Sequence, residues 1–175
     1  HDIDGRRLSA LIPRIERAGI RNVQLRHPKE NASLDDLTSA MDLVMIDAPC
    51  TGVGTWRRKP DAKWRVQPNA LEKRIQDQAL ILRTACNYVK PGGRLVYVTC
   101  SFLMEENEDQ FASFLADRPD FKAEDAAEAA IKSGQLTDAG AKLVHKCRRP
   151  DGSVRLTPRT AATDGFYMAV MRRIG

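Results

Sequence analysis

Two cysteines stand where thiol chemistry is easily built, just past the ends of apolar strands. Leu43–Ile46 reads as a short strand bounded by Asp42 and Asp47, after which the chain runs Ala48-Pro49-Cys50-Thr51-Gly52. Pro49 fixes its own φ and has no N–H to donate, so the chain leaves the sheet at Asp47. Cys50 therefore falls on the loop beyond the strand tip. Leu95–Thr99 reads as a second strand and runs directly into Cys100 and Ser101. Open α/β sheets place their sites at the carboxyl ends of strands. Two strands that each deliver a thiol there point to one site holding both, with the Asp47 carboxylate at a strand tip. A thiolate is a nucleophile, so the chemistry such a site suits is covalent catalysis. Spacing alone does not rank the two thiols. The competing reading is that both are small buried hydrophobes, a common state of free cysteine. A dithiol redox site is disfavoured because no C-x-x-C pair is present.

The remaining chemistry-bearing residues are less pointed. Cys86 lies on the apolar face of a helix and reads as core, and Cys147 lies in a basic loop without a role. The cysteines show no paired spacing and His27 and His145 join no ligand pattern, so neither a metal site nor a disulfide framework is expected. Thr51-Gly52-Val53-Gly54 is not a phosphate loop, since no Lys-Ser/Thr follows at the required spacing. The loop beyond it interleaves Arg57, Arg58, Lys59, Lys63 and Arg65 with Trp56 and Trp64. That mixture suits phosphate contacts and base stacking on a single strand. The alternative is a solvated loop whose two tryptophans fold into the core, a reading that suits Trp64.

The elements that must position these residues alternate. A chain of 175 residues is expected to form one domain, residues 1–175. A net charge of +5 and a pI near 9.2 hint at a polyanionic partner. No apolar run reaches the length of a membrane span and no signal peptide opens the chain, so a cytoplasmic protein with no membrane partner is the simplest expectation. His1 to Asp4 reads as the end of a strand, with Asp4 capping a helix that Pro13 should break and Gly19 end. Val23–Leu25 is a short strand candidate, and residues 31–40 form a loop with one helical turn from Ser33. After the loop 48–67, Leu71, Ile75, Leu82, Cys86 and Val89 set a long helix over 69–89. Pro91-Gly92-Gly93 turns into the strand 94–99, and a helix follows over 105–115, acidic in its first turn. A strand at 121–123, a helix at 126–132, a loop-rich stretch over 133–149 and strands at 153–156 and 166–171 complete the reading. The class is α/β, with a mostly parallel sheet and an antiparallel edge made by the last two strands.

Several of these segments carry a resemblance. Asp47-Ala48-Pro49-Cys50-Thr51-Gly52 with Pro60-Asp61 and Trp64, and Tyr97-Val98-Thr99-Cys100-Ser101 with Glu105-Glu106-Asn107-Glu108, are specific motifs. So are Arg155-Leu156-Thr157-Pro158 with Asp164-Gly165-Phe166, and the opening Asp2-Ile3-Asp4 with Arg7-Leu8. Together they resemble the Sun/nucleolar-protein family of RNA (cytosine-5) methyltransferases. The resemblance implies a Rossmann-like fold, S-adenosylmethionine as cofactor, and methylation of cytosine C5 in RNA, ribosomal RNA in particular. It implies that Cys100 is the nucleophile adding to cytosine C6, that Cys50 serves product release, and that Asp47 contacts both base and cofactor. Asp2 matches the carboxylate that holds the cofactor's ribose; with RNA as the substrate, the basic loop is expected to face it through Arg57, Arg58, Lys59 and Lys63. The likeness is weakest over 117–150. Arg26 and His27 occupy a region where the family carries an acidic residue. The family's first strand and glycine-rich cofactor loop have no counterpart in these residues. The resemblance thus covers the C-terminal part of a catalytic domain, expected by itself to be inactive and to self-associate through open sheet edges. The rival expectation is a non-catalytic RNA-binding or assembly module.

Overall fold

The computed structural model describes residues 1–2, 4–26, 33–65 and 67–175, which form two compact units, His1–Thr38 and Ser39–Gly175. In the first, the expected helix is broken as Pro13 requires, into α1 (Gly5–Ser9) and α2 (Ile12–Arg17). Asp4 caps α1 by accepting a hydrogen bond from the Arg6 N–H at 3.0 Å, satisfying a donor the helix start leaves unpaired. Gly19 takes φ +64 after α2, as a helix-terminating glycine can without a Cβ clash. Val23–Leu25 is not a strand: Val23 is half exposed and no described strand pairs with it. The strand end expected over residues 1–4 is likewise absent from Asp2 and Asp4, and Ile3 lies outside the described residues, as does His27.

The second unit is built on a five-stranded sheet in the order β1-β2-β5-β3, with β4 also on β5. The strands are β1 (Met41–Asp47), β2 (Val89–Thr99), β3 (Phe121–Glu124), β4 (Val154–Leu156) and β5 (Phe166–Arg173). β1 and β2 pair in parallel through α3 (Ala70–Ala85), with Asp47 opposite Val98. The other three pairings are antiparallel, and all involve β5. The sheet is therefore mixed rather than mostly parallel; the last two strands do pair antiparallel with β4 on the outside, but β5 itself lies inside the sheet. β5 lies between β2 and β3 because Tyr167, Ala169, Val170 and Met171 are apolar toward both faces and nearly fully buried. Pro91-Gly92-Gly93 does not end β2. It bulges out between Val89, opposite Met41, and Arg94, opposite Leu43, with Gly92 at φ +77.

Alternation along β2 and β5 divides the core. Leu95, Tyr97, Tyr167, Ala169 and Met171 meet Leu82 from α3, Cys86 just past its end, and Phe111 and Phe114 from α4 (Glu108–Asp117). Val96, Met168 and Val170 point the other way. They meet Ala126, Ala127, Leu143, Val144 and Cys147, from α5 (Ala126–Lys132), α6 (Asp138–Lys146) and its end. α6 stands in the stretch expected to be loop. Thr137 caps it, its hydroxyl accepting the Gly140 N–H at 3.1 Å, and Leu143 and Val144 anchor it on the sheet. A last short helix, α7 (Pro158–Ala161), lies between the two last strands in a stretch where the sequence pattern predicts no element. Thr157 and Thr160 form a reciprocal capping box around Pro158 at its first turn.

Candidate active site

The two cysteines meet. The β1–β2 ladder runs one bond past Asp47, the Ala48 N–H donating to the Val98 carbonyl at 2.9 Å. Two residues later Cys50 Sγ lies 3.4 Å from Cys100 Sγ, both thiols free and half-buried. Either sulfur can donate in this contact; with Cys50 as the donor, the hydrogen bond lowers the Cys100 thiol to about 7. Burial and the charges of Asp47 and Glu106 oppose it, while the Cys100 backbone N–H assists. The same contact, followed by burial, pushes the Cys50 thiol far above its ordinary range. One sulfur is thus poised as a thiolate near neutral pH and its neighbour is held protonated, a ranking that spacing did not supply.

Two consecutive residues lock the loops on which the thiols ride. Glu106 is fully buried in a 3-10 turn ahead of α4. Its carboxylate accepts the Thr51 N–H at 2.7 Å, the Thr51 hydroxyl at 2.6 Å and Gln78 Nε2 at 3.1 Å. Gln78 Nε2 also donates to the Pro49 carbonyl at 2.8 Å, so both neighbours of Cys50 are tied to one polar cluster. Asn107, also fully buried, does the same for Cys100. Its Oδ1 accepts the Thr99 hydroxyl at 2.6 Å and its Nδ2 donates to the Ser101 carbonyl at 3.1 Å. Glu108, next in line, pairs with Arg155 at 3.2 Å and Arg149 at 3.3 Å, and burial pushes its carboxyl up despite both arginines.

Glycine closes the site from above. The Gly54 N–H donates to the Cys100 carbonyl at 3.1 Å, and the Gly165 N–H to the Gly54 carbonyl at 2.8 Å. A Cβ on Gly54 would lie 2.4 Å from the Gly165 carbonyl oxygen and 2.7 Å from that of Cys100, so only glycine fits. Three chain segments far apart in sequence are thereby stitched at the thiols.

The other expected site residues are placed as follows. Asp47 is exposed at the tip of β1, and among the described residues its carboxylate takes no hydrogen bond or ion pair, though its charge reaches Cys100. Asp2 belongs to the first unit, where its Oδ1 accepts the Asp4 N–H at 2.8 Å and its Oδ2 lies 4.0 Å from Arg7. Arg57 and Arg58 both pair with Asp164, so that carboxylate partly offsets their charge. Lys59 is exposed, and Lys63 lies over the Trp64 ring with Nζ 4.6 Å from its centroid. Trp64 is 80% exposed, which rules out the alternative in which it packs in the core. The 3-10 turn at Pro60–Arg65 lifts it onto the surface. Arg26, where an acid was expected, pairs with Asp36 at 2.6 Å. Among the described residues there is no cluster of three or more metal-ligating side chains, and no helix is long and apolar enough to cross a membrane.

Solved structures give this architecture its class. The crystal structure of PH0851 superposes with a TM-score of 0.75 at 30% identity, over 98% of this chain and 36% of that one. That of NSun6 from Pyrococcus horikoshii with SFG superposes with a TM-score of 0.70 at 23% identity, over 99% and 40%. The fold is that of the Rossmann-like, S-adenosylmethionine-dependent methyltransferases. Sequence carries the assignment further. The family model for 16S rRNA methyltransferase RsmB/F matches residues 1–172, and the chain belongs to that family. It is 39% identical over 123 residues to the ribosomal RNA small subunit methyltransferase B of Klebsiella pneumoniae, covering 68% of this chain. The chain spans about 28% of the length of the first curated relatives it matches.

Proposed function

We propose that the protein of which this chain forms a part methylates cytosine C5 in RNA, specifically ribosomal RNA, through a covalent bond between Cys100 and C6. The observation that carries the reading is the 3.4 Å thiol pair at the strand tips, with Cys100 lowered to about 7. The names of the similar relatives support the RNA class. C5 of cytosine is a weak nucleophile. Addition of the Cys100 thiolate to C6 makes C5 enamine-like, and a proton or hydrogen bond at N3 or N4 offsets the developing charge. Asp47, open at the tip of β1, suits that contact.

S-adenosylmethionine, when bound, supplies an electrophilic methyl on a sulfonium. Within the second unit Asp47 fits it, with a carboxylate unpaired by the described residues. Within the first unit, taken by itself, Asp2 keeps acceptor capacity beyond its one hydrogen bond. Asp2 is assigned to the ribose hydroxyls and Asp47 to cofactor as well as base. After methylation the C5 proton must leave and the C6–S bond must break. Once Cys100 is bonded to carbon it is no longer an anion hydrogen-bonded to Cys50. The hydrogen bond to Cys100 and the charge of Cys100, the first and third causes that raise the Cys50 thiol, then vanish, while burial still raises it and the Gly52 and Cys100 backbone N–H groups still lower it. Adduct formation thus removes the largest cause that holds the proton on Cys50, which suits it to product release. Arg57, Arg58, Lys59 and Lys63, with the exposed Trp64, suit phosphate contact and base stacking.

The test is adduct trapping in the whole protein. Cys50→Ser is expected to accumulate a covalent RNA–protein species, because attack proceeds and release stalls, whereas Cys100→Ser gives none. Adduct from Cys100→Ser and not from Cys50→Ser would reverse the roles. No adduct from the wild type with 5-fluorocytosine RNA would leave an RNA-binding module in place of an enzyme.

A further inference from the structure

Glu106 and Asn107 touch neither sulfur, yet each holds the backbone on both sides of one cysteine. Glu106 reaches Thr51 directly and Pro49 through Gln78; Asn107 reaches Thr99 and Ser101. Nothing else among the described residues bridges both loops from consecutive positions. We propose that the buried Glu106–Asn107 turn is the positioning device of the site, Glu106 fixing Cys50 and Asn107 fixing Cys100 so that the two sulfurs stay in hydrogen-bond contact. The chemical argument rests on counting donors. Three N–H or O–H groups converge on the Glu106 carboxylate, and a fully buried carboxylate is tolerated when its lone pairs are filled in this way. The turn itself is anchored, since the Tyr97 hydroxyl donates to the Glu106 carbonyl at 2.7 Å. A glutamine at this position offers one acceptor oxygen and brings two donors of its own toward donors already there. One of the ties to Thr51 must break, and Cys50 is then free to move off Cys100.

A positioning role and a purely electrostatic role predict opposite signs. The groups whose charge or hydrogen bond acts on Cys100 are Cys50, Asp47 and Glu106. The negative charge of Glu106 disfavours the Cys100 thiolate, so removing that charge alone lowers the thiol's titration midpoint. Loss of the Cys50 hydrogen bond raises it. The proposal builds on the reading of the thiol pair as a catalytic site, but its first readout needs no RNA and no cofactor. The full chain is alkylated with iodoacetamide across pH, and modification of Cys100 is followed by mass spectrometry of the peptide. Cys86 and Cys147 are buried and serve as internal controls. In Glu106→Gln the midpoint is expected to rise from about 7 toward the ordinary thiol value of about 8.5. Thr51→Val deletes only the hydroxyl donor and keeps the side-chain volume, and should shift the midpoint in the same direction by less. Asn107→Asp keeps an acceptor for Thr99 but loses the donor to Ser101, and should also raise it. A midpoint that stays put or falls in Glu106→Gln and Thr51→Val, with both variants folded by circular dichroism, overturns the proposal. Adduct trapping then separates the two readings. If wild type forms no adduct while the alkylation shifts are seen, the positioning role stands and the cytosine chemistry fails. If both hold, Glu106→Gln should accumulate adduct as Cys50→Ser does, at unchanged RNA affinity.

Discussion

A thiolate next to a thiol is the feature on which the chemistry turns, and it makes a prediction at the residue scale. Cys50→Ala removes the donated S–H while leaving Asp47 and Glu106 in place. The Cys100 alkylation midpoint should rise above about 7, so at neutral pH the thiolate fraction falls by roughly fifteenfold for a midpoint near 8.5. An unmoved midpoint would mean that the hydrogen bond is not what holds the proton off Cys100. The pair was half legible in the sequence. Strand pattern and Pro49 were enough to bring two cysteines to neighbouring strand tips. Which sulfur carries the proton was not, because it depends on Sγ geometry and burial that no spacing encodes. Gln78 was legible and missed: Leu71, Ile75, Gln78 and Leu82 share helical spacing, and an amide on that buried face needs a polar partner. Glu106 and Asn107 were visible as part of a motif but not as clamps: the Glu106 partners Thr51 and Gln78 lie 55 and 28 positions away, Gln78 reaches Pro49 a further 29 back, and the local Asn107 ties to Thr99 and Ser101 depend on side-chain direction.

At the scale of elements, the loop between β1 and α3 is held by its crossing with the turn before β5. Gly54→Ala would drive a methyl group into the Gly165 carbonyl, and overpacking of this kind destabilises by about 1–3 kcal/mol. Thermal unfolding measures that, and Cys100 alkylation should change with it because Gly54 donates to the Cys100 carbonyl. A variant of unaltered stability would mean that the crossing opens at little cost. The basic residues of the same loop divide into two kinds. Lys59 is exposed and Lys63 lies over Trp64, whereas Arg57 and Arg58 share Asp164. Exposed pairs of that sort contribute ~1 kcal/mol or less, so RNA phosphates can compete for both arginines. Neutralising Arg57, Arg58 and Lys59 should flatten the salt dependence of RNA binding by about 0.7 in log–log slope per lost contact. Asp164→Asn should steepen it, since two arginines lose their internal competitor. If filter binding shows neither change, the loop lies away from RNA. The sequence showed the charges of this loop; it could not show Asp164, more than a hundred positions on, taking part of them back.

Across the whole molecule, the alternation of helices and strands was readable, and so was the broken helix at Pro13. The order of strands was not. Apolar periodicity says that β5 is buried, yet it does not say between which neighbours or in which direction. α6 escaped because a glycine at its third position weakens the helical pattern that Thr137 begins. The placement of β5 has a consequence for how the sheet comes into being. Every strand that β5 joins precedes it in the chain, and its pairing with β2 links Leu95 to Met171 and Thr99 to Tyr167. Until those long loops close, β3 and β4 have no partner in the sheet, and β2 has only β1. Closing them early is entropically unfavourable, so the sheet should assemble late and cooperatively, with β5 as the piece that completes it. Pulsed hydrogen exchange during refolding should find amides of β2, β3 and β5 gaining protection in one step, after α3 and α4. Protection of β3 before β5 would show that the sheet nucleates elsewhere. The thiol pair shares this fate: Cys100 leaves β2, and Gly165 closes over the site one residue before β5 begins. Reactive sulfur is therefore assembled only when nearly the whole strand order is in place, and a nascent chain carries two ordinary cysteines in place of a poised nucleophile.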